Sequence, residues 1–278
     1  MKKRPIMITV YIIILFSCVW FCTDNISVHS KGEYDRMIET LSYQLAYKNT
    51  YASVYSPFAS SVLETALDNN ITEEKKTIYL TFDDGPSPRT AEILDILAEY
   101  DIKATFFVIN AKDEYTQYLQ RAVAEGHTIG VHSASHKYRE IYKSVDNYLA
   151  DFTLCYDYIY GATGYSPTIF RFPGGSVNDY NAAVRKDIAK EMTRRGFVYF
   201  DWNVESSDSG SGLSSETIYR NVINGCNGKQ RAIVIMHDSI GKKTTVEALE
   251  KIIQKLKEDG WSFSPLTNEI KPVIFRMK

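Results

Sequence analysis

Cysteine is scarce and poorly placed for crosslinking. Of the four in the chain, Cys18 and Cys22 lie inside an apolar run, which leaves Cys155 and Cys226 standing alone. That pattern excludes a disulfide-built miniprotein and offers no zinc-finger spacing. The two outer thiols either pair in an oxidising compartment or sit as separate half-buried side chains. Net charge is also lacking: 32 Lys+Arg stand against 34 Asp+Glu, for a balance of -2, and no block of like charges occurs. Without such a field there is little to gather a phosphate backbone, so nucleic acid is not an expected partner, nor is a nucleotide cofactor. No G-x-S-x-G elbow is present, which argues against a serine esterase; the Ser-Gly stretch Ser206 to Gly212 reads as a flexible loop. Repeats and low-complexity tracts are missing too, and an apolar share of 44% excludes a disordered chain.

Ile6 to Cys22 form a run of 17 uncharged, almost wholly apolar residues, preceded by Lys2, Lys3 and Arg4. This is the low edge of the ~17–25 residues that span a bilayer, and the basic flank directs the N-terminus inward. Residues 1–23 are therefore expected to be a single-pass cell-membrane anchor with the remainder extracellular. Cleavage near Val28-His29-Ser30, giving a secreted protein, is the alternative. Residues 24–75 are polar and tyrosine-bearing, with loose helical spacing at Met37, Leu41 and Leu45 and again at Val62, Leu63, Ala66 and Leu67, and read as a partly helical stalk.

Beyond Lys76 short β-rich runs alternate with helical patterns, the signature of βα units. Strands are expected over 77–82, 104–109, 128–131, 168–172, 197–202, 231–236 and 261–263. Seven parallel strands with helices between them suggest an α/β barrel occupying 76–278. Ser87 followed by Pro88 predicts a helix start, with Ile93, Leu94 and Leu97 along its apolar stripe. Thr244-x-x-Glu247 predicts a capping box for the last helix, which Gly260 closes.

In α/β barrels the C-terminal strand ends carry the reacting groups. Here those ends hold Asp83-Asp84, His132 with His136, Arg171, Asp201-Trp202 and His237-Asp238. Any one of them reads equally well as a turn or a solvated edge, but five together converge. Adjacent carboxylates at a strand end point in different directions, so one can ligate a metal while the other stays free as a base. His132-x-x-x-His136 puts two imidazoles on one side of a turn; with Asp84 they make a three-ligand set that leaves a position open, as catalytic metals require. A pair of exposed histidines is the competing reading. His237 emerges from an apolar strand at the same rim and suits a proton donor.

Thr81-Phe82-Asp83-Asp84-Gly85, His132-Ser-Ala-Ser-His136, Arg171-Phe-Pro-Gly-Gly175, Asp201-Trp202 and Ile235-Met-His237, in that order, resemble the polysaccharide deacetylases of carbohydrate esterase family 4, the NodB-homology domain. The match covers about residues 76 to 268. The resemblance implies a distorted, incomplete (β/α) barrel and metal-dependent removal of acetyl from an N-acetylated sugar. It implies one divalent ion, zinc or else cobalt, manganese or iron, on Asp84, His132 and His136. Asp83 would be the general base and His237 the general acid. Arg171 would keep Asp83 ionised and Asp201 would orient His237. The Gly174 N–H would meet the oxyanion, Trp202 would wall the acetyl group, and Ile235 would supply an apolar contact. Many relatives carry an aromatic at the position of Gly174 and Leu at that of Ile235, which bears on substrate fit. The expected substrate is N-acetylglucosamine of peptidoglycan. N-acetylmuramic acid, chitin oligomers, poly-N-acetylglucosamine and O-acetylated xylan are alternatives within the chemistry, and an inactive carbohydrate-binding module is the alternative outside it.

Overall fold

The computed structural model describes residues 76–277 apart from Ser211. The expected anchor at 6–22 and the stalk at 24–75 lie outside the described residues. Among those described, no helix is long and apolar enough to cross a membrane.

In chain order the elements are β1 (Thr77–Asp83), α1 (Pro88–Glu99), β2 (Thr105–Ile109), a short 3-10 turn, α2 (Thr116–Ala124), β3 (Thr128–Ser133), α3 (Tyr138–Ile141), α4 (Val145–Thr163) and β4 (Ile169–Phe170). They continue with α5 (Arg185–Arg194), β5 (Val198–Tyr199), β6 (Val204–Glu205), α6 (Ser215–Cys226), β7 (Arg231–His237), α7 (Lys243–Glu258) and β8 (Ser262–Phe263). The strands pair in parallel in the order β5-β4-β3-β2-β1-β7-β6, with β8 alongside the start of β1. Seven strands thus make a curled half-barrel, and among the described residues no pairing joins β5 to β6.

The strand period of two sorts the side chains onto the two faces of the sheet. On β1, Ile78, Leu80 and Phe82 belong to the large core shared with the helices, whereas Tyr79 belongs to a smaller inner core with Phe107, Ile169, Val198, Phe200, Ile233 and Leu266. Thr81 and Asp83 share the parity of Tyr79. By the same alternation His132 faces inward between the outward Val131 and the strand end, Arg171 between Phe170 and Phe172, and His237 beyond the inward Ile233 and Ile235. One inner face therefore gathers the titratable groups of four strands.

Ser87 caps α1 as expected, accepting from the Arg89 N–H, and Thr90 completes a capping box by accepting from the Ser87 N–H at 2.8 Å. The box expected at Thr244 and Glu247 does not form. α7 begins at Lys243, so Thr244 lies inside its first turn instead of at the cap, and Lys242, which takes the cap position, has an ammonium that cannot accept from a backbone N–H. Lys242 Nζ and Thr245 Oγ1 both reach the 208–209 segment. The strands expected over 168–172 and 197–202 are shorter in the structure. Their ladder still continues past the regular part, through Arg171 N–H to Val131 C=O at 3.0 Å and Phe200 N–H to Phe170 C=O at 3.0 Å. Cys155 and Cys226 are both buried and free, so they do not pair.

Residues 266–275 run back across the inner core. Leu266 is fully buried in it, with Ile270 and Val273 packed against it. Asp201 N–H donates to Val273 C=O at 2.8 Å, Phe275 N–H donates to Asp201 Oδ2 at 2.7 Å, and the Phe275 ring meets Trp202 edge-on at 4.9 Å.

Candidate metal centre and acid-base pair

A cleft of about 360 Å³ opens at the C-terminal ends of the strands, lined by Asp83, Asp84, His132, His136, Gly174, Trp202, Ile235 and His237. Nine of the ten residues singled out from the sequence are therefore at or directly beneath one site; the ninth, Arg171, forms its floor. The tenth, Asp201, lies apart from the acid it was expected to orient.

The donor atoms of Asp84, His132 and His136 lie within 4.8 Å of one another. His132 Nε2 stands 3.6 Å and His136 Nε2 3.3 Å from Asp84 Oδ1, and that buried oxygen has no hydrogen-bond partner. An unpartnered buried carboxylate oxygen facing two imidazoles is what a cation site requires, and the set fits a divalent ion. His132 Nδ1 lies 2.9 Å from the Arg171 carbonyl, which can only accept. The hydrogen thus sits on Nδ1, and Nε2 presents its lone pair to the site. Burial lowers the His132 pKa, with Asp83 and Asp84 opposing it, so the imidazole is kept in the neutral form a ligand needs. Asp84 holds its place at φ 75 and His136 at φ 54, left-handed conformations that are costly outside glycine and are retained where surrounding contacts over-determine them. Sequence spacing gave no hint of one such contact: Asp151 on α4 accepts from Ser133 Oγ, Ala134 N–H and Ser135 N–H, and Ser133 Oγ in turn accepts from His136 N–H at 2.8 Å.

Asp83 is buried and paired with the fully buried Arg171, whose Nη1 lies 2.9 Å from Oδ1. Every edge of the guanidinium is engaged. Nη1 also donates to Thr81 Oγ1, Nε to Phe200 C=O and Nη2 to Asp201 C=O, while Phe107 lies under its face at 4.3 Å. The pair fixes the Asp83 carboxylate by one oxygen and leaves Oδ2 toward the cleft, 3.9 Å from His132 Nε2.

The partner of His237 is Asp208, not Asp201. Asp208 Oδ1 accepts from His237 Nδ1 at 2.6 Å, and Oδ2 from His237 N–H and Thr245 Oγ1. Burial, the largest influence on His237, disfavours its charge, but the hydrogen bond and charge of Asp208, with Asp83 and Asp84, outweigh it and raise the pKa to about 9. A histidine raised in the fold adds stability that is complete below its unfolded value near 6.5 and lost as pH climbs through about 9. Asp208→Asn is expected to lower the His237 midpoint by more than one unit, followed by the imidazole NMR shifts from pH 5 to 10; an unmoved midpoint would assign the rise to another group. Asp201 instead accepts from Ser176 N–H, Ser176 Oγ and Phe275 N–H, tying the 173–176 loop and the 273–275 segment to the end of β5. It is too occupied, and on the wrong strand, to reach His237. Asp208 is placed by β6, which pairs Val204 with Val234 and Glu205 with Ile235 and so delivers the following residues to the end of β7. The segment read as flexible is held at Ser206 and Asp208, both buried.

Gly174 reaches the cleft at φ 72, and its N–H has no hydrogen-bond partner among the described residues. Trp202 lies against Gly175, where an added Cβ would come within 3.0 Å of its ring.

The sequence profile described as polysaccharide deacetylase matches residues 70–194. A peptidoglycan-N-acetylglucosamine deacetylase of Bacillus cereus is 34% identical over 203 residues, 71% of each chain. The crystal structure of the catalytic domain of peptidoglycan N-acetylglucosamine deacetylase from Eubacterium rectale is 38% identical, superposes with a TM-score of 0.71 and covers 75% of this chain and 96% of that one. The Xyl-CE4 domain of a multidomain xylanase from the hindgut metagenome of Trinervitermes trinervoides is 30% identical, with a TM-score of 0.60, over 70% of this chain and 89% of its own.

Proposed function

The chain belongs to the polysaccharide deacetylase family, hydrolases that release acetyl groups, and from that premise we propose that its substrate is the N-acetylglucosamine of peptidoglycan. The observation that carries a working enzyme is the meeting of Asp83, the Asp84-His132-His136 set and His237 at one cleft. The relatives named for peptidoglycan N-acetylglucosamine support the choice of sugar. The apolar run at 6–22 supports attachment to the cell membrane with residues 76–278 outside, beside the wall polymer.

Asp84, His132 and His136 would hold the ion, zinc on this donor set ahead of cobalt, manganese or iron. When bound, it supplies a Lewis acid for the amide carbonyl and acidifies water. Asp83, pinned by Arg171 through Oδ1, takes the proton of the attacking water on Oδ2. The free N–H of Gly174 donates to the carbonyl oxygen as negative charge develops there. His237, protonated through Asp208, gives its Nε2 proton to the departing sugar nitrogen, so the products are a free amine and acetate. Trp202 and Ile235 supply apolar walls for the acetyl methyl.

The test is acetate release by the full-length chain from purified peptidoglycan, chitin oligomers and acetylated xylan, with chelator and with zinc restored. Expected is release from peptidoglycan that chelator stops and zinc recovers, with little from the other two. Preferential release from xylan would move the substrate to an ester. No release from any glycan, with metal bound and the fold intact, would leave a sugar-binding module.

A further inference from the structure

We propose that Tyr138 and Tyr180 form an aromatic platform at the mouth of the cleft, which receives the pyranose ring next along the glycan strand from the one being deacetylated. This rests on the deacetylase reading above. Tyr138, the first residue of α3, lines the cleft; its ring meets both His136 and Tyr180 edge-on, at 5.0 Å and 5.3 Å, so the two tyrosines form a corner beside the cleft whose outer wall is the Tyr180 ring. The ring occupies the space that a side chain at position 174 would need: a Cβ added to Gly174 would lie 3.1 Å from the Tyr138 hydroxyl and 3.2–3.3 Å from ring carbons. An aromatic surface is thus supplied beside Gly174 from α3, across the loop.

The segments that carry both rings are tied to that loop. One turn on from Tyr138, Tyr142 Oη donates to Pro173 C=O at 2.8 Å. On the other side Tyr180 N–H donates to Asn178 Oδ1, and Asn178 Nδ2 donates to the carbonyls of Pro173 and Gly175 at 3.1 Å. Tyr180 nonetheless remains 48% exposed, with the Arg139 guanidinium 6.0 Å from its ring centre. A rigid, half-exposed aromatic surface continuous with a polar cleft matches one chemistry well. A pyranose has apolar C–H faces that stack on a ring, and a rim of hydroxyls that a guanidinium can hydrogen-bond. A linear β-linked polymer places a second such ring beside the reacting one.

The experiment compares the full-length wild type with Tyr180→Ala, Tyr180→Trp and Tyr138→Phe on two probes. One is peptide-free glycan strands prepared from peptidoglycan; the other is 4-nitrophenyl acetate, which reaches only the reacting groups. For Tyr180→Ala, KM on the strands is expected to rise about tenfold with kcat within about twofold, while ester hydrolysis is unchanged. Tyr180→Trp and Tyr138→Phe, which keep a ring, are expected to hold KM near the wild-type value. If the wild type turns over the strands and Tyr180→Ala leaves KM unmoved, the platform is wrong and the deacetylase reading stands. If the wild type releases no acetate from the strands, the substrate reading itself fails and takes the platform with it.

Discussion

Asp83→Asn is expected to lower kcat for acetate release about 10³-fold, since a positioned general base contributes on the order of 10²–10⁴. The amide is close in shape to the carboxylate, and its oxygen can still accept from Arg171 Nη1, so the cleft keeps its outline. What is lost is the basic oxygen facing the cleft. KM should stay near the wild-type value and bound metal should remain stoichiometric, because the proposed ligand set, Asp84, His132 and His136, is untouched. Acetate release from peptidoglycan at neutral pH, measured beside metal content, checks both halves. A variant keeping more than about a tenth of the activity would show that another group removes the proton. One that had lost its metal would place Asp83 among the ligands.

The second large effect is on stability. Arg171 is fully buried and makes charged or polar contacts on every side, so Arg171→Met leaves the Asp83 carboxylate buried without its counter-charge. Removing one member of a buried pair costs roughly 3–5 kcal/mol, whereas removing both costs less because no orphaned charge remains. Urea unfolding should therefore place the midpoint of Arg171→Met far below wild type, and that of the Asp83→Asn/Arg171→Met double variant above the sum of the two single losses. Strict additivity would show that the pair is not coupled, and that Arg171 acts only by filling space over Phe107.

Apart from β6, which no expected strand covers, the strands and their titratable ends were legible in the sequence because both follow from local pattern. An apolar run that ends in Asp83, His132 or His237 carries its own parity, and parity sets the face. Ser87-Pro88 was legible for the same reason, since a cap and its helix are neighbours in the chain. The partner of His237 was not. Asp201 follows an apolar strand and is flanked by Trp202, so it looks like a site residue. Asp208 sits among serines and glycines that read as a loop. Only the pairing of β6 with β7, a contact between distant segments, puts Asp208 beside the imidazole. The capping box at Thr244 failed because α7 starts earlier, at Lys243, with the flanking Lys242 and Thr245 drawn to Asp208. Tyr138 was missed because the vacancy it fills belongs to Gly174, 36 positions later in the chain.

The segment 266–275 sets an order in time. Ile270 and Val273 pack against the inner core, while Val273 and Phe275 bind both ends of Asp201, whose carbonyl in turn receives Arg171. All ten residues singled out for the site precede this segment in the chain. Were the strands to pair during synthesis before residues 266–275 had emerged, the inner chamber around Arg171 and Asp83 would lack the cover that Leu266, Ile270 and Val273 give it. A nascent chain paused before them would display the motifs of the enzyme while its base still lay in a wet, unshaped cavity. Competence would arrive late and as a single event.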